Sequence, residues 1–233
     1  MLHKKGMDSV SEEVIDVNEE KPSLFGIITN PTLQFERIRK QPIFWGALVI
    51  VTLISIIGLW LTSLGVEIPE LEELSAEEVA VGKVVGVISI ALLAIINTVV
   101  SILFSTALYL LIAKVNRSQV TFKQLFSMHT YIMLMTSLNI AVNGFISFLL
   151  GDNYADRNAL FTSLGAFINV EGPIGVLLNH IEVFGIWILI LTVIGLQKVA
   201  QFSKTQAWIV VLVFFFVNII FSMTSAEASG LIN

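Results

Sequence analysis

Five stretches of this 233-residue chain run for seventeen or more residues with almost no charge, and this pattern constrains the fold more than any other feature. An α-helix rises 1.5 Å per residue, so each stretch can cross roughly 30 Å of hydrocarbon while satisfying its own backbone hydrogen bonds. The candidate spans are residues 44–64, 84–113, 128–150, 174–196 and 207–223. Three of them contain no charged residue, and the third contains only His129, near its start. The fourth is interrupted by Asn179, His180 and Glu182, leaving a clean apolar run only from 183 to 196. The second is long at about 45 Å of helix, so its outer end is expected to project beyond the hydrocarbon or the helix to tilt. The expected fold class is all-α: a polytopic membrane protein with five transmembrane helices and an N-terminal amphipathic interfacial helix.

Composition agrees, because 55% apolar and 13% charged residues suit a bilayer better than water. Direction follows from the basic residues, which stay on the cytoplasmic side of short loops. Eleven of the thirteen lysines and arginines lie before the first span, between the second and third (Lys114, Arg117, Lys123) or between the fourth and fifth (Lys198, Lys204). The remaining loops hold Lys83 and Arg157, and the first of them also holds Glu67, Glu70, Glu72, Glu73, Glu77 and Glu78. The expected topology in the cell membrane is a cytoplasmic N-terminus and an external C-terminus. A four-span alternative would place Lys198 and Lys204 outside. Residues 1–43 contain no apolar signal-peptide core, so the first span is expected to serve as an uncleaved anchor.

Four regions follow: a disordered cytoplasmic tail at 1–20, an amphipathic segment at 21–42, a membrane domain at 43–223 and an external tail at 224–233. Within the second region Asn30-Pro31 pairs an N-cap with proline at the first helical position, predicting a helix start. Pro31, Phe35 and Ile38 then share one face, and Arg37, Arg39 and Lys40 close the segment. The expectation is a surface helix with Phe35 along the headgroup boundary and Arg37, Arg39 and Lys40 toward anionic lipid. A cytosolic linker is the alternative.

Polar side chains inside a membrane mark sites or helix contacts. Asn97, Ser101, Ser105 and Tyr109 recur at helical spacing in the second span, as do Thr136, Asn139, Asn143 and Ser147 in the third. The two stripes are expected to face one another, either as packing contacts or as the lining of a hydrated path. Asn179, His180 and Glu182 are the strongest functional candidates, since a carboxylate and an imidazole can relay protons or hold a cation; an interfacial or loop-packing role is the alternative. On a continuous helix Asn179 and Glu182 share a face and His180 points elsewhere. Gly82 and Gly86 form a GxxxG pair suited to close helix approach. Three histidines and no cysteine give no metal-ligand spacing, and neither metal nor cofactor is expected. The phosphate-loop, metalloprotease and serine-hydrolase motifs are missing, so no enzymatic activity is expected. No basic surface supports nucleic-acid binding.

Two blocks carry a family resemblance. Lys21-Pro22-Ser23-Leu24-Phe25-Gly26-Ile27-Ile28-Thr29-Asn30-Pro31, followed by Phe35-Glu36-Arg37-Ile38 and Pro42, precedes the first span. Ile181-Glu182-Val183-Phe184-Gly185-Ile186-Trp187 leads through Gly195-Leu196 to Ser203-Lys204-Thr205-Gln206-Ala207-Trp208. In order and spacing these resemble bacterial Yip1-domain proteins over residues 21–223. The resemblance implies a five-helix membrane domain without catalytic activity. Eukaryotic members are membrane-traffic factors that contact small GTPases, but the short tail here has no GTPase-binding motif. Some bacterial members are associated with ABC exporters built from a permease, an ATPase and a membrane-fusion subunit. The expected function is therefore that of an accessory protein assisting such a complex. The alternative is a small transporter or channel with a path lined by the Asn/Ser stripes and Glu182; homo-oligomerisation stays open in both.

Overall fold

The computed structural model describes residues 20–65, 75–151, 160–168, 170 and 172–228. The tail before residue 20, Glu67, Glu70, Glu72 and Glu73 of the acidic loop, Arg157 and the last five residues lie outside the described residues. The helices are α1 (Gly26–Thr29), α2 (Pro31–Lys40), α3 (Trp45–Leu64), α4 (Ala76–Val115), α5 (Phe122–Leu150), α6 (Gly172–His180), α7 (Val183–Lys198) and α8 (Lys204–Ala228), with a 3-10 turn at Leu164–Ala166. Four of them, α3, α4, α5 and α8, are long and apolar enough to cross a membrane.

The expected fourth span is not one helix. Its sequence divides into α6, of 9 residues, and α7, of 16, with Glu182 extended between them at φ −131° and ψ 143°. At about 24 Å, α7 alone falls short of roughly 30 Å of hydrocarbon. Hydropathy locates the apolar run, but the break depends on backbone partners supplied by another part of the chain.

Helix starts follow local chemistry. The Asn30 side chain accepts from the Leu33 amide at 3.3 Å, with Pro31 at the first helical position, as the sequence predicts. Capping boxes formed by Ser75 with Glu78 and Thr121 with Gln124 open α4 and α5.

The centre of the bundle is α5, buried on every side from Leu125 to Ile132. Its main partner is α3, and small residues let the two backbones meet. A Cβ on Gly58 would stand 2.7 Å from the Ala141 backbone, and one on Gly144 would overlap the Gly58 carbonyl. The Ser55 hydroxyl donates to Ser137 at 3.0 Å across the same seam. The predicted glycine pair is elsewhere: a Cβ on Gly82 or Gly86 of α4 would meet nothing within 4 Å.

The N-terminal helix also departs from expectation. Ile27, Phe35 and Ile38 are fully buried, with α2 packed against α7 and α5. The Phe35 ring lies 3.4 Å from where a Gly195 Cβ would stand, close to Met128. An amphipathic face reads the same in sequence whether lipid or protein covers it; here protein covers it.

On α4 the inward face is Ala94, Thr98, Ile102, Thr106 and Ala113. Asn97 is exposed, and Ser101 and Ser105 are half-buried, so the predicted stripe is rotated partly out of the bundle. Of that stripe, Tyr109 reaches α5, stacking on His129 with ring centroids 4.9 Å apart.

Candidate functional site: the helix break and its cavity

Asn139 and Asn143 stand one turn apart on the half of α5 far from its start. Asn143 Nδ2 donates to the Asn139 carbonyl at 3.0 Å and lies within reach of Asn139 Oδ1 and, at 3.0 Å, of Thr162 Oγ1. Thr162 Oγ1 is in turn 3.3 Å from Asn139 Oδ1 and 3.2 Å from Glu182 Oε1. A hydroxyl has one proton, so Thr162 donates to one of these acceptors at a time. The chain Asn143–Asn139–Thr162–Glu182 thus connects α5 to the helix break through residues 160–166.

The backbone completes the connection. Leu164 N–H donates to the Ile181 carbonyl at 2.9 Å and Val183 N–H to the Thr162 carbonyl at 3.2 Å, forming an isolated antiparallel bridge between Ser163 and Glu182. Irregular backbone within an apolar bundle is tolerable only where protein supplies its partners, and here the 160–166 segment does so. Glu182 occupies the N-cap position of α7, where the helix dipole favours a carboxylate.

Because the chain leaves the helix after His180, the helical spacing rule fails across the break. Asn179, His180 and Glu182 all line one cavity of about 570 Å³ between α4, α6, α7 and α8. Glu182 and Asn218 lie toward one end, Tyr109 and Thr192 toward the other, with Ile188, Leu189, Phe214 and Phe215 between them. His180 is held by its neighbours: Nδ1 donates to the Val176 carbonyl at 2.9 Å, and Nε2 is hydrogen-bonded with the Ser222 hydroxyl of α8 at 3.1 Å. His129 is more enclosed still, buried within α5 with its Nδ1 donating to the Leu125 carbonyl at 2.9 Å.

The basic loops gather at the other end of the bundle. Ser118 Oγ donates to the Ala200 carbonyl at 2.6 Å, Gln206 Nε2 to Asn116 Oδ1 at 3.3 Å and Gln124 Nε2 to the Arg39 carbonyl at 2.7 Å. Lys198 pairs with Glu36 at 2.6 Å. The expected membrane-surface set divides accordingly. Phe35 is in the core, Arg37 is mostly enclosed and paired with Glu20, and Arg39 and Lys40 are exposed.

Of the predicted site residues, the structure unites Asn139, Asn143 and Glu182 in one network and Asn179, His180 and Glu182 in one cavity. Asn97 and Ser101 belong to neither. Thr162, the joint of the network, carries no signal in the sequence: no helical period marks a threonine in a connecting segment.

Residues 25–226 match the Yip1 domain. A Bacillus subtilis (strain 168) relative described as "Membrane protein YknW" is 37% identical over 222 residues, covering 92% of each chain. No solved structure matches. The chain is therefore an integral membrane protein of the Yip1-domain family.

Proposed function

We propose that this protein is a noncatalytic accessory subunit that assists assembly or stability of an ABC-type exporter made of permease, ATPase and membrane-fusion subunits. The observation that carries this reading is the half of α4 nearest Ser75. As a 40-residue helix α4 measures about 60 Å, and fitting it within 30 Å of hydrocarbon would require a tilt of about 60°, beyond the usual range. Val81, Val84, Val85, Val87 and Ile88 are nevertheless exposed on that half. Apolar surface left uncovered by both bundle and bilayer suits contact with another protein.

In this reading the chain crosses the membrane five times, with α6 and α7 together making the fourth crossing. Their combined length, about 38 Å, is sufficient. The N-terminus is cytoplasmic and the C-terminus external, supported by the gathering of Arg39, Lys114, Arg117, Lys123, Lys198 and Lys204 at one end. Affinity purification from native membranes is expected to recover all three exporter components, and Val84→Arg to reduce that recovery. Repeated recovery of none would sink the proposal.

A small transporter is the second reading, favoured by the cavity beside Glu182. It requires flux across liposomes containing the purified protein, abolished by Glu182→Gln or Asn139→Leu.

A further inference from the structure

The cavity at the helix break has a polarity that selects a ligand. Counting 1.5 Å per residue from Lys198, Thr192 lies about 9 Å and Glu182 about 24 Å along α7, so the cavity extends roughly 15 Å along the bundle. Its volume falls within the range of small-ligand sites. Glu182 Oε1 is one of the two alternative acceptors of the Thr162 hydroxyl, while Oε2 has no hydrogen-bond partner among the described residues. Neither lysine nor arginine occurs among the described residues lining the cavity. His180 has both ring nitrogens engaged, and Asn218 Nδ2 donates to the Phe214 carbonyl at 2.9 Å. The lining therefore offers the Glu182 carboxylate at one end, with the amides of Asn179 and Asn218 near it, Tyr109 and Thr192 at the far end, and an apolar wall of Ile188, Leu189, Phe214 and Phe215 between them.

We propose that this cavity binds a single amphiphile with a protonated amine head, the ammonium on Glu182 Oε2 and the aliphatic tail along α7 and α8 toward Thr192. A carboxylate in low-dielectric surroundings gains most from a desolvated cation that also hydrogen-bonds to it. An anionic head would meet the carboxylate with like charge, and a purely apolar molecule would leave it unpaired. The amine can come from an aminophospholipid headgroup or from a free amphiphilic amine. This site is independent of the accessory role and of any transport through the chain.

Native mass spectrometry of the full-length protein tests the proposal with three probes: phosphatidylethanolamine, phosphatidylglycerol with the same acyl chains, and dodecylammonium. Retention of phosphatidylethanolamine or dodecylammonium over phosphatidylglycerol is expected, and Glu182→Gln is expected to weaken it about tenfold, equivalent to about 1.4 kcal/mol. The glutamine keeps an acceptor for Thr162 while removing the charge. Leu189→Trp, which fills the apolar stretch, is expected to weaken retention while leaving Glu182 intact. Retention of the phospholipid alone assigns a lipid headgroup, and retention of dodecylammonium alone assigns a free amine. If both are retained and displace one another, one site takes both. Equal retention of the two phospholipids without amine binding, or amine retention unaffected by Glu182→Gln, overturns the proposal. Should Glu182→Gln fail to fold, unchanged retention by Leu189→Trp overturns it instead.

Discussion

The Tyr131 hydroxyl of α5 donates to the Pro22 carbonyl at 3.0 Å, across 109 positions of sequence. With Tyr131 4% exposed, this bond fixes the chain ahead of α1 to the most enclosed part of the bundle. Tyr131→Phe leaves a carbonyl without its donor and is expected to cost about 1–3 kcal/mol. Purified protein in detergent should melt at lower temperature, and proteolysis within residues 20–43 should accelerate.

The Lys198–Glu36 pair ties α7 to α2 but is partly open to solvent, with the two side chains 38% and 45% exposed. Lys198→Met is therefore expected to cost no more than about 1 kcal/mol. Added salt should erase the difference from wild type, whereas the Tyr131→Phe deficit should persist. A Lys198→Met deficit that grows with salt would contradict an ionic origin.

Phe35→Ala separates a helix docked on protein from one lying on lipid. The ring is fully buried against α7 and Met128, so truncation is expected to cost about 3–5 kcal/mol and to reduce the folded yield sharply. If Phe35 instead touched only headgroups, thermal unfolding in detergent would be unchanged.

The α3–α5 seam predicts opposite outcomes for two kinds of glycine. Gly58→Ala and Gly144→Ala drive a methyl into opposing backbone, with an expected cost of about 1–3 kcal/mol. Gly82→Ala meets open space and is expected to be neutral or to stabilise the helix by up to about 1 kcal/mol. Thermal melts of the three variants under one condition check both signs.

These contrasts show where sequence pattern is sufficient. The apolar run at 44–64 is α3 at Trp45–Leu64, and Asn30-Pro31 opens a helix, because hydropathy and capping are local. The GxxxG pair misleads: a motif shows that close approach is sterically allowed, while the neighbour that uses it comes from tertiary structure. Gly58 has no glycine four residues away and still makes the tight contact. Glu182 is legible as an expensive residue, but its partner Thr162 and the break beside it are not, since both depend on the return of residues 160–166 to α5 and α7.

Topology supplies the last prediction. The chain has no cysteine, so a single introduced thiol reports one location without background. Phe167 is 77% exposed in the segment before α6, and Lys204 is exposed at the start of α8. If α6 and α7 together cross the bilayer and the N-terminus is cytoplasmic, as proposed, Phe167→Cys reacts with an impermeant maleimide added to intact cells, and Lys204→Cys reacts only after permeabilisation; the reverse labelling would overturn the orientation. If α7 instead remains within one leaflet, both thiols lie on the same side and label together in intact cells. The broken helix makes this comparison informative: α7 is too short to span alone, and a crossing there would need α6 to continue it beyond Glu182, where the hydrogen bonds from Leu164 and Val183 replace those an unbroken helix would have made.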